Sequence, residues 1–564
     1  MSSEMDDRAL NYVIAATILL LSVFIVVSPN PDYFSWEYIY QFFTLVLTVT
    51  LLTGVFLAWL ERRSLAALFR LDHNAIRLLV LIVFMASVLR VLVVPHVHRV
   101  LFDESIYMQI SALIATSGKA MFCDKWIDGE CLSGFLNKQP NAFPHALSLF
   151  FLVFGVSESV GFGFTTLLGI LSIPLIFLSA YLLFGDMNTA LFSALFLSLT
   201  PAHIIWSGSV STEIFHVFMS LTVLTLAVSF IKTRSWRLLV SCACFLAYTI
   251  QARPESILLV PVVYILFASY DFKDMVRRDS RFIDYVVLFS TVLVVLSLLH
   301  LAHLSYASRT QDWGSSEGKF DLKYLNRNWD ANTGYWLDGR KHIIVLTPLV
   351  LVGFLAGLKS KHPSVPAVSF WLVSFYLSYL FFYGGSFAGG GVGFRYALLC
   401  YPPMLILSAY GASFIVESLS KHVLRRDAVL FMTVLVLVTS LPAYGFISQP
   451  DPLADTPRML HEFAVEMADN VEDDCVVLTD NPNIFIIHGQ NTMQTGMGVS
   501  RDSLKNLMRT HPCVYFLEGY WCNTQPKKQV CDQMHDYYDL ERVASAHAPD
   551  TGWSFNFYKI KLIY

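Results

Sequence analysis

The sequence predicts a polytopic α-helical membrane protein of about thirteen transmembrane helices, with a small α/β domain at its C-terminal end. Three observations predict it. Only 15% of the 564 residues are charged and 55% are hydrophobic, where soluble domains carry about 25% charged residues. The apolar residues come in repeated runs of about 20, each long enough to cross a hydrocarbon core of roughly 30 Å as a helix. Beyond Gly445 the pattern changes to short apolar runs broken by turn residues, the signature of strands.

The elements follow in order. The first ten residues, MSSEMDDRAL, are acidic, and the apolar run behind them ends without a small-residue cleavage site, so it reads as a retained helix rather than a signal peptide. Spans are expected near Tyr12–Ser28, Tyr38–Leu60, Ile76–Val94, Val160–Phe184, Thr189–Trp206, Glu213–Ile231, Leu238–Gln251 and Pro254–Tyr270. The last group lies near Ile283–His303, Ile343–Leu358, Ala367–Tyr383, Tyr396–Val416 and Val429–Tyr444. A further stretch, Ala142–Ser157, is short, and Pro144 and His145 sit near its start. Loop charge decides how it is read, because basic residues in short loops mark the cytoplasmic side. Arg62, Arg63, Arg70 and Arg77 form one basic loop, Lys232, Arg234 and Arg237 a second, and Lys273, Arg277, Arg278 and Arg281 a third. Lys359 with Lys361, and Lys421 with Arg425 and Arg426, complete the set. All fall on one side only if Ala142–Ser157 does not cross, so this stretch reads as an interfacial helix.

The N-terminus is then cytoplasmic and the C-terminus outside. Three segments result: residues 1–75 with two spans, 76–446 with outer loops 96–159 and 304–342, and the soluble 447–564. In the last, CVVLTD, NIFIIHG and CVYFLEGY read as strands, with a helix near Pro457–Asn470. Cysteine placement agrees. Cys242, Cys244 and Cys400 lie in spans, whereas Cys123, Cys131, Cys475, Cys513, Cys522 and Cys531 lie outside, an even set that fits disulfides in an oxidising compartment. Cys123 with Cys131 and Cys522 with Cys531 are the nearest pairs. A net charge of −4 offers no nucleic-acid footprint.

The strongest chemical signal is Phe102-Asp103-Glu104-Ser105-Ile106-Tyr107, two adjacent carboxylates just beyond a span. Lipid offers nothing to offset their desolvation, so they face water or a polar cavity. A carboxylate at a membrane surface suits the removal of a proton from an acceptor hydroxyl. The same loop continues to Gly118 and Asn137-Lys138-Gln139-Pro140, and Ser207 to Glu213 opens a later span on the same side. In this order the residues resemble the GT-C membrane glycosyltransferases, in the branch of protein O-mannosyltransferases and the lipid A aminoarabinose transferase. The resemblance rests on Asp103, Glu104, Tyr107, Gly118, Lys138, Pro140 and Glu213, with Arg253-Pro254-Glu255 and Gly393-Phe394-Arg395-Tyr396, and covers about Val91 to Gly411. The chain departs from the branch in its single Pro after Lys138, in Glu213 where Asp is usual, and in its N-terminal extension.

The resemblance implies an inverting transfer of a mannose-like hexose or aminosugar from a polyprenyl- or dolichyl-phosphate carrier to a protein or lipid-linked acceptor, on the extracytoplasmic face of a cell or endoplasmic-reticulum-type membrane. Asp103, Glu104 and Glu213 are the expected catalytic carboxylates; Tyr107, Lys138, Arg253, Glu255, Arg395 and Tyr396 are the expected substrate-binding residues. Arginine offers a forked donor set matched to phosphate oxygens, which suits Arg253 and Arg395 to the leaving phosphate. No cofactor is expected, since arginine alone can neutralise a monophosphate; a divalent metal held between the carboxylates is the alternative. The competing class is a secondary transporter or flippase of lipid-linked sugars, but the chain shows no repeat and its notable charges lie at span ends. Gln311–Tyr335, rich in Trp, Asp, Asn and Tyr, reads as an interface anchor.

Overall fold

The computed structural model describes residues 36–561 apart from 70, 138, 277–279, 311–317, 389–392, 448–454, 524–526 and 549–551. The expected span Tyr12–Ser28 and the expected site residue Lys138 lie outside the described residues. The chain divides into two compact units, one within Met1–His96, Lys138–Phe143 and Phe162–Gln449, the other within Val97–Asn137, Pro144–Gly161 and Pro450–Tyr564.

The first unit is helical. Among the described residues of the chain, seven helices are long and apolar enough to cross a membrane: Tyr40–Leu60, His73–Val93, Glu158–Phe184, Thr212–Thr233, Ser364–Phe381, Tyr401–Leu419 and Arg425–Gly445. An eighth arises if the bent pair Met187–Leu199 and Pro201–Ser207 counts as one span. The remaining described runs read as spans are also helical, with shorter apolar stretches, as at Trp236–Ile250 and Leu346–Ser360. Fifteen residues rise only about 22 Å along a helix. Ala142–Phe154, at 13 residues, is shorter still.

The 58° bend has an identifiable cause. Pro201 has no N–H, so the Leu197 carbonyl lacks its i+4 donor. Arg90, fully buried, fills the gap: its guanidinium donates to Leu197 O at 3.1 Å, to Ser198 O at 3.2 Å and toward His203 Nδ1 at 2.8 Å. Elsewhere backbones meet directly. A Cβ on Gly353 would lie 2.0 Å from Leu407 O, and one on Gly411 would lie 2.3 Å from Leu349 O. The helices Leu346–Ser360 and Tyr401–Leu419 therefore pack through reciprocal glycines.

Helix Leu325–Leu337 lies largely within the stretch read as an interface anchor, and its polar face is put to another use. Asn328 and Asn332, four residues apart and so on one face, are fully buried. Asn328 Nδ2 donates to the carbonyls of Tyr379 at 3.0 Å, Leu380 at 3.2 Å and Phe382 at 2.7 Å. Asn332 donates to Gly385 O at 3.1 Å and accepts from Phe387 N at 2.7 Å. Asn328 thus satisfies carbonyls at the C-terminal end of helix Ser364–Phe381, and Asn332 holds the loop that follows it.

The second unit is α/β. Its seven strands are β1 (Phe122–Ile127), β2 (Glu130–Phe135), β3 (Val476–Leu478), β4 (Asn491–Met493), β5 (Val514–Glu518), β6 (Asp539–Ala548) and β7 (Trp553–Lys561), ordered β2-β1-β4-β3-β5-β7-β6. β3 runs parallel to β4 and β5, and the other pairings are antiparallel. Two strands come from residues 122–135, so the sheet is not built by a continuous 447–564 segment. Asp128 and Gly129, with φ of 51° and 79°, form the two-residue turn that the twist of a hairpin favours. β1 then pairs with β4 through Lys125–Met493 and Trp126–Thr492. Helix Asp455–Asn470 matches the expected one near Pro457–Asn470. NIFIIHG, read as a strand, is instead mostly the helix Pro482–Ile487. Proline at a first helical position is preorganised for a turn, and this local start overrides the β-branched run. The core includes Phe463, Leu478, Phe485, Leu504, Phe516 and Phe557. Disulfides join Cys123 to Cys131, Cys475 to Cys513 and Cys522 to Cys531, leaving Cys242, Cys244 and Cys400 free and buried.

Candidate functional site

Five expected site residues of the first unit come together around one carboxylate. Glu213 lies in the first turn of helix Thr212–Thr233 and is buried. Arg253, in extended backbone immediately before Pro254, donates from Nη1 to Glu213 Oε1 and from Nη2 to Glu255 Oε1 at 2.9 Å. Arg395 Nε lies 3.6 Å from Glu213 Oε1, and its Nη2 donates to Tyr396 Oη at 3.2 Å. Both guanidinium carbons lie over the Tyr396 ring, at 5.6 Å for Arg253 and 5.1 Å for Arg395. The two side chains are 11% and 16% exposed, so their charges act where water screens them weakly.

Neighbours that the sequence reading missed complete the cluster. Ser211 and Thr212 donate to Glu213 Oε2 at 2.9 Å and 3.3 Å, and Tyr379 donates to Glu255 Oε1 at 3.2 Å. The first two had a signal in the Ser-Gly-Ser-Val-Ser-Thr-Glu run; Tyr379 had none, standing in an apolar span. Its position is set by the helix end that Asn328 caps. The cluster holds two cations and two anions, and its arginines stack on an aromatic ring. An anionic oxygen entering here would exchange with a carboxylate rather than meet a bare charge.

In the second unit, Asp103, Glu104 and Tyr107 share helix Leu101–Ser117, which ends where Gly118 adopts φ 72°. Asp103 is partly exposed and Glu104 is buried. Asp103 and Tyr107, four residues apart, lie on one face. Glu104 is committed to its neighbours: Oε1 accepts from the backbone N–H groups of Arg99 and Val100, both at 2.8 Å, and Oε2 holds His98 Nδ1 at 2.8 Å. Burial pushes the Glu104 carboxyl up, but the His98 and backbone bonds outweigh it and hold it below the usual range. Burial likewise lowers His98, yet Glu104 and Glu158 win and raise it to about 9.

The architecture, with seven or more candidate membrane spans among the described residues, has the GT-C fold. Residues 138–300 match the model of the dolichyl-phosphate-mannose-protein mannosyltransferase family. The structure is similar to ArnT from Cupriavidus metallidurans in its apo state, at 12% identity and TM-score 0.54, covering 85% of this chain and 97% of that one. ArnT bound to undecaprenyl phosphate gives 13% identity and TM-score 0.50, covering 87% and 98%. The oligosaccharyltransferase AglB from Archaeoglobus fulgidus, in complex with an inhibitory peptide and a dolichol-phosphate, gives 11% identity and TM-score 0.51, covering 86% and 74%. No curated protein matches the sequence.

Proposed function

We propose that the protein transfers a sugar from a polyprenyl-phosphate carrier to a protein or lipid-linked acceptor on the extracytoplasmic side. The observation that carries this reading is the pair of buried arginines, Arg253 and Arg395, gathered on Glu213 and Tyr396. Forked cations held in place suit a phosphate whose charge grows as it leaves. The similar ArnT and AglB structures hold undecaprenyl phosphate and dolichol-phosphate, which supports a lipid monophosphate as the ligand class. A mannose-like hexose or an aminosugar is the proposed cargo, in keeping with the matched family model.

In this reading Asp103 is the base. Of the two adjacent carboxylates it is the one that is partly exposed, while Glu104 orders the start of its helix. The acceptor O–H gives its proton to Asp103 as the oxygen bonds to the anomeric carbon. The anomeric C–O bond breaks in the same step, its electron pair leaves on the carrier phosphate, and the centre inverts. Glu213 and Glu255 orient the arginines, and Tyr107, Lys138 and Tyr396 contact substrate. The shared side of the basic loops supports an outer C-terminal domain; labelling of an engineered cysteine beside Arg277 from the outside would overturn that topology.

The direct test is to incubate purified protein with a panel of polyprenyl-phosphate sugars and follow transfer or hydrolysis. One donor should be consumed, and Asp103→Asn should slow it by about 10²–10⁴ with donor binding largely kept. Activity from a nucleotide sugar with no lipid carrier would refute the proposal, and near wild-type turnover of Asp103→Asn would refute the base.

A further inference from the structure

Within the second unit, a cluster outside the proposed reaction brings three imidazoles to one carboxylate. Glu158, in the first turn of helix Glu158–Phe184, places Oε1 2.8 Å from His461 Nε2, 3.5 Å from His98 Nε2 and 3.9 Å from His488 Nε2. One ligand atom each from His98, Glu158 and His461 lie within 4.8 Å of one another. Metal–ligand distances of about 2.0–2.1 Å in a tetrahedral site put neighbouring ligand atoms roughly 3.3 Å apart. The two closest contacts bracket that spacing.

The outer groups favour the same assignment. A metal-bound histidine characteristically hands its second ring nitrogen to a carboxylate, which fixes the ring. His98 does this through Nδ1 to Glu104 at 2.8 Å, and Glu104 is itself pinned by two backbone N–H groups. His488 repeats the arrangement, with Nδ1 3.5 Å from Asp469 Oδ1. Both rings therefore turn Nε2 toward Glu158. The side chains of His98 and His461 are only 4% and 6% exposed, and those of Glu158 and His488 are each 23% exposed. Charge fits as well: Glu104, Glu158 and Asp469 carry three negative charges around three imidazoles that are neutral when they ligate. We propose that His98, Glu158 and His461 bind one divalent transition-metal ion of the zinc class. His488, with Nε2 3.9 Å from Glu158 Oε1, stands beside the trio. The ion ties the segment before helix Leu101–Ser117 and the start of helix Glu158–Phe184 to the tail helix bearing His461. Imidazole nitrogen with a single carboxylate favours zinc or cobalt over calcium or magnesium, which prefer all-oxygen shells.

The test uses full-length, tag-free protein in nanodiscs with its disulfides intact, so that no cysteine pair competes. After chelation and dialysis, the protein is titrated with Zn²⁺ and, separately, with Co²⁺. The expected results are one Zn²⁺ per chain by elemental analysis, an intense visible absorption of tetrahedral Co²⁺, and a rise in melting temperature on Zn²⁺ addition. Glu158→Gln and His461→Asn should abolish the Co²⁺ band, and Glu104→Gln should weaken affinity by about 10–100-fold through the His98 ring. Two outcomes overturn the site: wild-type protein that melts cooperatively yet takes up neither ion, or metal uptake unchanged by Glu158→Gln. Wild-type titration alone decides the matter if a variant fails to fold. Sugar transfer plays no part in the readout, so this proposal and the enzymatic one stand or fall separately.

Discussion

Asn328 offers a direct measure of what holds the arginine cluster in register. Its one amide nitrogen caps three carbonyls at the end of helix Ser364–Phe381. That end carries Tyr379, whose hydroxyl binds the Glu255 that receives Arg253. Replacing Asn328 by Leu, close in shape, costs either two net N–H bonds of about 1 kcal/mol each or, if the Tyr379 and Leu380 carbonyls cannot rehydrate, about 1–3 kcal/mol for each of the two; Phe382 O keeps the Gly385 N–H. A central value is about 3 kcal/mol. At about 2.1 cal/mol/K of unfolding entropy per residue, a unit of this size should lose roughly 4 °C in Tm. Asn328→Asp should cost more, because a carboxylate oxygen would face those carbonyls in place of a donor. Thermal unfolding in nanodiscs, followed by intrinsic fluorescence, measures both. Each variant should also raise the KM for donor more than it lowers kcat, since the loss reaches the site through Tyr379 and Glu255. If Asn328→Asp melts with the wild type, the capping role is refuted; if Asn328→Leu melts normally, the carbonyls have another donor.

Arg253→Lys keeps the charge but loses the fork that spans Glu213 and Glu255, so kcat/KM for a polyprenyl-phosphate donor should fall by about 10–100-fold, and an unchanged value would remove Arg253 from phosphate binding. Gly353→Ala should cost about 3 kcal/mol or the folded yield itself, because the new methyl meets the Leu407 carbonyl; size-exclusion of the detergent-solubilised protein reads this out. Asp124→Asn should stabilise the protein at neutral pH. Burial, only partly offset by Lys527, raises the Asp124 carboxyl to about 6. The folded state therefore keeps a proton that the unfolded state has released, and the resulting penalty grows from about pH 4 to pH 6 and is constant above. The Tm gain of Asp124→Asn should be near zero at pH 4 and correspond to at most about 3 kcal/mol above pH 6; a gain equal at both pH values would exclude the mechanism.

The parts of this chain that were legible in its sequence are those imposed by a solvent. Lipid demands long apolar helices, so runs such as Thr212–Thr233 and Arg425–Gly445 announce themselves from composition alone. Six cysteines outside the spans form an even set, and the nearest pairs, Cys123 with Cys131 and Cys522 with Cys531, are bonded as expected. The Glu213, Arg253 and Arg395 assembly was legible as three separate signals at span ends, and the fold supplied the contact. What was missed depends on long-range pairing or on local starts that periodicity does not report. The Asp128-Gly129 turn carries a hairpin signal in a stretch otherwise read as loop, and nothing local tells β1 that its partner β4 lies more than 360 residues away. NIFIIHG has strand composition, but Pro482 starts a helix ahead of it.

The same distinction explains why the polar residues of the first unit divide into two kinds. Arg90 and Asn328 are buried because the backbone needs them. One repairs the carbonyls exposed where Pro201 breaks a helix, and the other closes a helix end. Most of their partners are carbonyls, so these side chains serve the backbone first. Arg253 and Arg395 instead meet side-chain carboxylates and an aromatic face. An apolar pair of similar volume would pack at no greater cost than these ions. Arginines gathered on carboxylates in this way are accounted for by a ligand that needs them. A phosphate displacing a carboxylate from these arginines exchanges one anion for another and leaves the buried charge balanced, which an apolar site could not do.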